Sequence, residues 1–376
     1  MQARVIMLVD FDYFFAQCEE LRNPSLKEKP VVVCVYSGRS EDSGAVSTAN
    51  YIARKYGVKS GIPIFLAKRK LQDKDAVFLR VDHEFYGEIS DKTMDILRGF
   101  ADRFEQVGID EAYLDVTRRV GGDFEKAGKV ADRMKEEIRA KQGITCSIGV
   151  GPNKLVAKIA ADSQKPDGLT IVKPGEVESF LFPVPVGWLI GVGAKTEKKM
   201  EAVGIRTIGD LARRDVQQLI AVFGKSLGIY FHNASNGIDE TPVQERGETE
   251  SISRISTLKE NTRDLQVLLE RTDQLCEDIH RELMQRNLSF QQVGIVAIMT
   301  DMSIRSRSRT LENPTNESET LERTVKELLE KFLKESEIEI RRVGVKVSNF
   351  VKEQRKQKQL TGFITQTGSW GKEHPR

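Results

Sequence analysis

Val5-Ile6-Met7-Leu8-Val9-Asp10-Phe11-Asp12-Tyr13-Phe14-Phe15 is the stretch on which the rest of the sequence turns. Its first five residues are continuously apolar, as in a strand covered on both faces, and they deliver Asp10 and Asp12 to the strand's carboxyl end. Carboxylates at that place need a reason. One is plain turn capping, which acids commonly perform at strand ends. The other needs more acids, and Gly108-Ile109-Asp110-Glu111 supplies them between Phe104 to Val107 and Ala112 to Val116, two runs that read as a hairpin. If the hairpin borders the first strand, Asp10, Asp110 and Glu111 converge. Like charges so gathered repel unless a cation sits among them, and all-oxygen donors select hard Mg²⁺. Two such ions can activate a 3′-hydroxyl and stabilise the leaving pyrophosphate of a nucleotide. Asp12 reads as structural or solvent-facing.

Outward from that stretch, the chain alternates elements. A helix is expected from Phe14 to Leu21, a strand from Pro30 to Val35, a turn containing Gly38 and Gly44, and a helix through Thr48 to Lys55. Residues 124–141 carry Ala127, Val130, Ala131, Met134 and Ile138 on one helical stripe. The strand Thr145 to Val150 then leads into a helix from Lys154 to Asp162. This is a mixed sheet with helices, interrupted by an insertion between its first and second strands. Beyond Gly168 come small helices punctuated by glycines. Residues 235–250 are polar and poor in large apolar side chains, as a linker would be. From Ser251 the pattern is strand (252–258), helix (264–286), strand (290–299), strand (303–310), helix (317–335), strand (338–348), a βαββαβ order of the split ferredoxin-like kind. The final residues from Lys352 lose periodicity.

With 376 residues, 39% hydrophobic and 30% charged, the chain can fill two or more cores, and it reads as an ordinary soluble globular protein. A net charge of +2 gives no strong bulk field, so any nucleic-acid surface must come from local clustering of Lys and Arg. The four cysteines, Cys18, Cys34, Cys146 and Cys276, form no metal-ligand pattern and read as reduced structural thiols. The opening apolar run lacks a signal-peptide cleavage pattern and is far too short to span a bilayer, which points to a cytoplasmic protein with no membrane association.

Four ordered blocks carry a resemblance. Val9 to Phe15, Ser43-Gly44-Ala45-Val46-Ser47-Thr48-Ala49-Asn50-Tyr51-Ile52-Ala53-Arg54, Gly108 to Asp115, and Ala157-Lys158-Ile159-Ala160-Ala161-Asp162-Ser163-Gln164-Lys165-Pro166 together resemble the archaeal, DinB-like branch of the Y-family lesion-bypass DNA polymerases. The resemblance implies an α+β, multidomain right-hand polymerase. Its ferredoxin-like palm would span residues 1–10 and 78–167, its fingers 11–77, and its helical thumb with a helix-hairpin-helix 168–234. A linker (235–250), a βαββαβ little finger (251–351) and a tail (352–376) would follow. It also implies that Asp10, Asp110 and Glu111, with the Phe11 carbonyl, hold two magnesium ions. Thr48, Tyr51, Arg54 and Lys165 match positions that contact the incoming triphosphate, which suits hydroxyl donors and fixed positive charges. Tyr13 and Phe14 belong to the same pocket, Tyr13 through its backbone. Phe15 matches the aromatic that lies under the sugar and excludes a ribose 2′-hydroxyl; outside the motif it would read as a core aromatic. The partners implied are primer-template DNA and deoxynucleoside triphosphates, engaged by a monomer of low processivity and fidelity. Gly108 departs from the family's usual Ser, with no metal ligand lost.

Three further features suit DNA work. Leu189-Ile190-Gly191-Val192-Gly193 with the stretch from Lys195 to Ala202 resembles a helix-hairpin-helix, in which Gly191 and Gly193 let backbone amides and Lys195 approach a phosphate. Ile190 replaces the family's usual proline, and glycines in a helical turn can also be plain C-caps. Arg305, Arg307 and Arg309 alternate along one strand and so share a face, with Arg341 and Arg342 nearby; aligned like charges call for an anion, such as a duplex backbone, or a solvated sheet face. Gln357, Leu360, Phe363 and Ile364 are spaced like the peptide that docks polymerases on the sliding clamp (PCNA), although many such motifs end in two aromatics. A non-catalytic DNA-binding factor would have little use for all three acids, and a nucleotide cyclase little use for the hairpin, the arginines or the clamp-like peptide.

Overall fold

The opening apolar run is a strand, β1 (Ile6–Phe11), buried along its whole length. Tyr13 turns the chain at φ +35°, a left-handed conformation uncommon outside glycine, and α1 (Phe14–Arg22) follows. The computed structural model describes residues 3–352 apart from 246 and 248. It divides into two compact units at Gly247.

Next come β2 (Val31–Tyr36), β3 (Gly44–Ala49), α2 (Tyr51–Arg54), α3 (Ile64–Lys70) and β4 (Val77–Arg80), with the strands in the order β3-β2-β4. The helix expected through Thr48 to Lys55 is therefore half strand. Asn50 makes the break: its Oδ1 accepts from Val31 N–H and from Ala53 N–H, ending the strand and capping α2. Two fingers boundaries also shift. Phe14, Ala16 and Cys18 of α1 pack in the same core as β1, and β4 lies parallel to β2, so the separate three-stranded layer begins after α1 and runs to Arg80.

Then follow α4 (His83–Phe100), β5 (Arg103–Gln106), β6 (Glu111–Asp115), α5 (Thr117–Val120), α6 (Phe124–Gln142), β7 (Cys146–Gly151), α7 (Lys154–Ser163) and β8 (Leu169–Ile171). The sheet order is β5-β6-β1-β7-β8. β8 extends this sheet past the palm boundary drawn at 167, because it pairs parallel to β7. Side chains alternate across β1. Val5, Met7, Val9 and Phe11 enter a core shared with α4 and α6, while Ile6 and Leu8 meet Tyr113, Ala157 and Ala161 on the α7 side. Asp10 continues that second row. α7 lies so close to the sheet that a Cβ on Gly149 would sit 2.1 Å from the Ala157 carbonyl oxygen, which only glycine allows.

Small helices complete the unit: α8 (Val177–Leu181), α9 (Ala194–Glu201), α10 (Ile208–Ala212), α11 (Val216–Phe223) and α12 (Lys225–Ser235). Leu181, Met200, Leu211 and Phe231 form their core with Val156 and Ile159 of α7. The expected linker is much shorter than 235–250. Asn153 donates to Gly237 O at 2.7 Å, Leu155 N–H donates to Asp239 at 3.1 Å, and Val243 is buried beside Ile6 and Leu8. Its polar composition reflects bonding to Arg4 and to the start of α7.

The second unit comprises β9 (Ser251–Thr262), α13 (Leu265–Arg286), β10 (Leu288–Met299), β11 (Ile304–Thr315), α14 (Ser318–Glu335) and β12 (Ile340–Lys352), the βαββαβ order read from the sequence. Its strands lie β11-β10-β12-β9, all neighbours antiparallel, so β12 fills the gap left between β9 and β10 by the α13 crossover. Both helices cover one face over Val293, Ile295, Val343 and Val345. All four cysteines are buried and free. No helix among the described residues is long and apolar enough to cross a membrane.

Candidate active site

The antiparallel register of β1 and β6 sets Asp10 opposite Glu111. Directly opposed residues project to one side of a sheet, so both carboxylates lie on the α7 face. Asp110 sits in the β5–β6 hairpin beside them, where its carbonyl accepts from Phe11 N–H at 2.7 Å. The three acids of the opening argument thus gather at one end of the sheet. Burial, then the charges of Asp10 and Glu111, push the Asp110 carboxyl up to about 6. Like charges gathered in this way favour a cation between them.

Two lysines stand there. Lys158 Nζ is 3.2 Å from Asp10 and 2.7 Å from Glu111, and it also approaches Asp162 at 3.6 Å. Lys165 Nζ is 2.7 Å from Asp10 and 2.8 Å from Asp162. Neither Lys158 nor Asp162 was singled out by sequence reasoning, although their four-residue spacing on a helix was a usable sign. As arranged, no three Asp, Glu, His or Cys side chains among the described residues are set to hold a metal ion. By donor chemistry the site fits a hard cation: the donors are all oxygen, and Asp10 and Glu111 already share one positive group.

Asp12 is structural, one of the two roles read for it. Its carboxylate accepts from Ser147 Oγ at 2.7 Å, Thr145 Oγ1 at 2.9 Å and Asp167 N–H at 2.9 Å, joining β1 to β7 and to the chain after α7.

The expected nucleotide residues come from three places: the start of α1, the β3–α2 segment and, with Lys165, the chain after α7. Thr48, Tyr51 and Arg54 lie on β3 and α2, arranged about Asn50, whose Nδ2 donates to Glu20 and to Lys29 O. Asn50 is a third residue that sequence reasoning missed; an Asn directly before a helical run is its sign. Arg54 lies 4.8 Å over the Tyr51 ring, and the Tyr51 hydroxyl is buried with no hydrogen-bond partner among the described residues. A buried hydroxyl of that kind is satisfied by water or by a bound ligand. Tyr13 meets Tyr51 edge-on at 5.3 Å. Phe15 stacks on Tyr86 at 4.5 Å and stays partly exposed. Phe14 differs: its ring is buried against Phe11, so only its backbone is available to a ligand. A Cβ on Gly108 would stand 3.1 Å from Asp110 Oδ1, which puts this position against the acid itself.

In the helical part, Gly191 has φ +86° and Gly193 is the N-cap of α9, with Lys195 exposed in its first turn. Tyr230 braces the turn by donating to Ile190 O at 2.6 Å. In the second unit Arg305, Arg307 and Arg309 do share one face of β11, but it is the helix side, because they pair across the sheet with Ala297, Ile295 and Val293. Two of them find anions on α14, Arg307 binding Glu335 at 2.6 Å and Arg309 binding Glu327, while Arg305 donates to the neutral Ser336 hydroxyl at 3.0 Å. Arg307 and Arg309 are thus balanced within the unit by glutamates that the sequence did not indicate. Arg342 lies on the open side of the sheet, level with Ile298 and Thr257, and its Nε is buried without a hydrogen-bond partner among the described residues. One row of that side reads Ser308, Gly294, Lys346, Ser253 across four strands, small residues around one lysine. Gln357, Leu360, Phe363 and Ile364 lie outside the described residues.

Three sequence profiles match in order. Residues 9–162 match the impB/mucB/samB family, 188–239 the thumb domain of DNA polymerase-iota, and 249–361 the impB/mucB/samB C-terminal domain. The chain is 49% identical to DNA polymerase IV of Nitrosopumilus maritimus, covering 97% of this chain and 100% of that one. It is 39% identical to DNA polymerase IV of Saccharolobus solfataricus over 92% of this chain and 97% of that one. Among solved structures, a Y-family DNA polymerase chimera, Dbh-Dpo4(243-245)-Dbh, superposes with a TM-score of 0.86 at 36% identity, covering 93% of this chain and 99% of that one. An insertion ternary complex of Dbh DNA polymerase follows at 0.67 and 36%, with the same coverage.

Proposed function

This chain belongs to the Y family of DNA polymerases, in its archaeal DinB-like branch, and from that premise we propose how its site works. It is a DNA-directed DNA polymerase of the lesion-bypass type. Asp10, Asp110, Glu111 and the Phe11 carbonyl are the ligands for two magnesium ions. When bound, these ions supply activation of the primer 3′-hydroxyl and charge stabilisation of the leaving pyrophosphate. The observation that carries the reading is the register of Asp10 opposite Glu111 with Asp110 in the adjoining hairpin.

The chain's own residues do the rest. Thr48, the unpartnered Tyr51 hydroxyl, Arg54 and Lys165 hold the triphosphate of the incoming nucleotide. Lys165 exchanges its contact with Asp10 for phosphate oxygens. Phe15, held flat by Tyr86, lies under the sugar and excludes a 2′-hydroxyl. The backbone amides after Gly191, with Lys195, take a primer-template phosphate without reading sequence. The open side of the second unit's sheet, with Lys346 and Arg342, takes another stretch of backbone; the stripe of Arg305, Arg307 and Arg309, together with Arg341, contributes once DNA phosphates replace its glutamates. The protein works as a monomer of low processivity and fidelity, in the cytoplasm, recruited to a sliding clamp (PCNA) through Gln357, Leu360, Phe363 and Ile364.

Primer extension on undamaged and abasic templates tests this reading. Wild type should pass the abasic position. Phe15→Ala should incorporate ribonucleotides about 100-fold more readily relative to deoxynucleotides, the loss of a clash worth roughly 3 kcal/mol. A wild type that halts at the abasic position, or an unchanged sugar preference in Phe15→Ala, would contradict it.

A further inference from the structure

Lys158 has no part in the chemistry described so far, yet its ammonium contacts both sheet carboxylates, at 3.2 Å from Asp10 Oδ2 and 2.7 Å from Glu111 Oε2. It arrives there by construction. α7 is drawn onto the sheet over Gly149, and the row Ile6, Leu8, Asp10 runs beneath Ala157 and Ala161. One turn farther along α7, Asp162 lies 3.6 Å from the same ammonium. Asp162 also holds Lys165, which contacts the same Asp10 oxygen. Each lysine thus contacts Asp10 and also Asp162, a carboxylate outside the metal-ligand set, while Lys158 is the one that also contacts Glu111.

We propose that Lys158 is an internal counter-ion that competes with a divalent cation for Asp10 and Glu111, and that Asp162 receives its ammonium when the cation wins. This rests on the reading of those acids as cation ligands. An ammonium is a single charge with hydrogen-bond reach, whereas a divalent ion at the same oxygens brings twice the charge and direct coordination. The competition keeps three acids together whatever the cation supply, and it weakens divalent binding by the amount needed to move the lysine. Asp162, only one turn away on the same helix, keeps that amount small.

Mn²⁺ binding to the full-length, DNA-free protein, followed by the electron paramagnetic resonance of free Mn²⁺, separates the possibilities; thermal melts with and without EDTA accompany it. Lys158→Met should bind Mn²⁺ about ten-fold more tightly than wild type, and melt lower than wild type in EDTA, with the deficit repaired by Mn²⁺. Lys158→Gln gives the same comparison should the methionine variant fold poorly. Asp162→Asn should weaken Mn²⁺ binding in wild type and do so much less in the Lys158→Met background. Unchanged or weaker binding in folded Lys158→Met and Lys158→Gln would overturn the counter-ion, and equal weakening by Asp162→Asn in both backgrounds would overturn the receiving role of Asp162. If Asp10→Asn binds Mn²⁺ as wild type does, the cation site itself is misplaced and the inference falls with it.

Discussion

Glu20 shows how far single residues carry the site. It is buried on α1, accepts from Asn50 Nδ2 at 3.0 Å and from the Tyr13 hydroxyl at 3.2 Å, and so joins the turn after Asp10 to the cap of α2. Burial raises its carboxyl above the usual glutamate value in spite of those two donors. A raised folded value means that ionised Glu20 costs stability at neutral pH. As pH falls through that value the folded state takes up its proton first and stability grows, until the unfolded chain also protonates near about 4.3. Glu20→Gln removes this contribution. Melts of the variant between neutral pH and about 4.5 should therefore show a smaller gain, or larger loss, on acidification than wild type; superimposable pH profiles would contradict it. Asp10, Asp110 and Glu111 were legible because an apolar run and a hairpin predict where they emerge. Asn50, Lys158 and Asp162 carried only local signs, a cap position and a four-residue spacing, and their partners are set by sheet order and helix placement.

At the scale of elements, the approach of α7 decides where Lys158 and Lys165 act. Gly149→Ala would drive a Cβ into the backbone of Ala157 and Ala161, at 2.1 and 2.2 Å, and the helix must retreat. Overpacking of this kind costs about 1–3 kcal/mol. Denaturant unfolding should show that loss, and extension should slow; an unchanged midpoint would mean that α7 sits less tightly than described. β3 escaped sequence reading because Gly44-Ala45-Val46-Ser47-Thr48-Ala49 has small residues and little alternation, while Asn50 hides the helix start inside an apparent continuation. The arginine stripe was read in the right period, but the α14 glutamates that pair with Arg307 and Arg309 were not foreseen. Which side of β11 faces the helices follows from its pairing with Val293, Ile295 and Ala297, and no local pattern in β11 reveals that.

For the whole molecule, the first unit closes only after Gln244, whose N–H donates to Glu105 at 3.1 Å. Limited proteolysis should cut first between Glu245 and Ser251 and release two fragments that each melt cooperatively; first cuts within 236–243 would contradict the strapped arrangement. Fold class and the βαββαβ order were legible because long amphipathic helices and apolar strands announce themselves. The length of the true connection was not, since Asn153, Asp239 and Arg4 bond it to the palm through polar groups that look like linker composition. The central claim is that the acids gathered by β1 and the β5–β6 hairpin run nucleotidyl transfer. Single-turnover extension of a preformed primer-template complex by wild type and Asp110→Asn tests it most directly. The account predicts DNA affinity within about three-fold of wild type and extension slower by at least about 1,000-fold, roughly 4 kcal/mol of lost transition-state stabilisation. Extension by Asp110→Asn at close to the wild-type rate would contradict it.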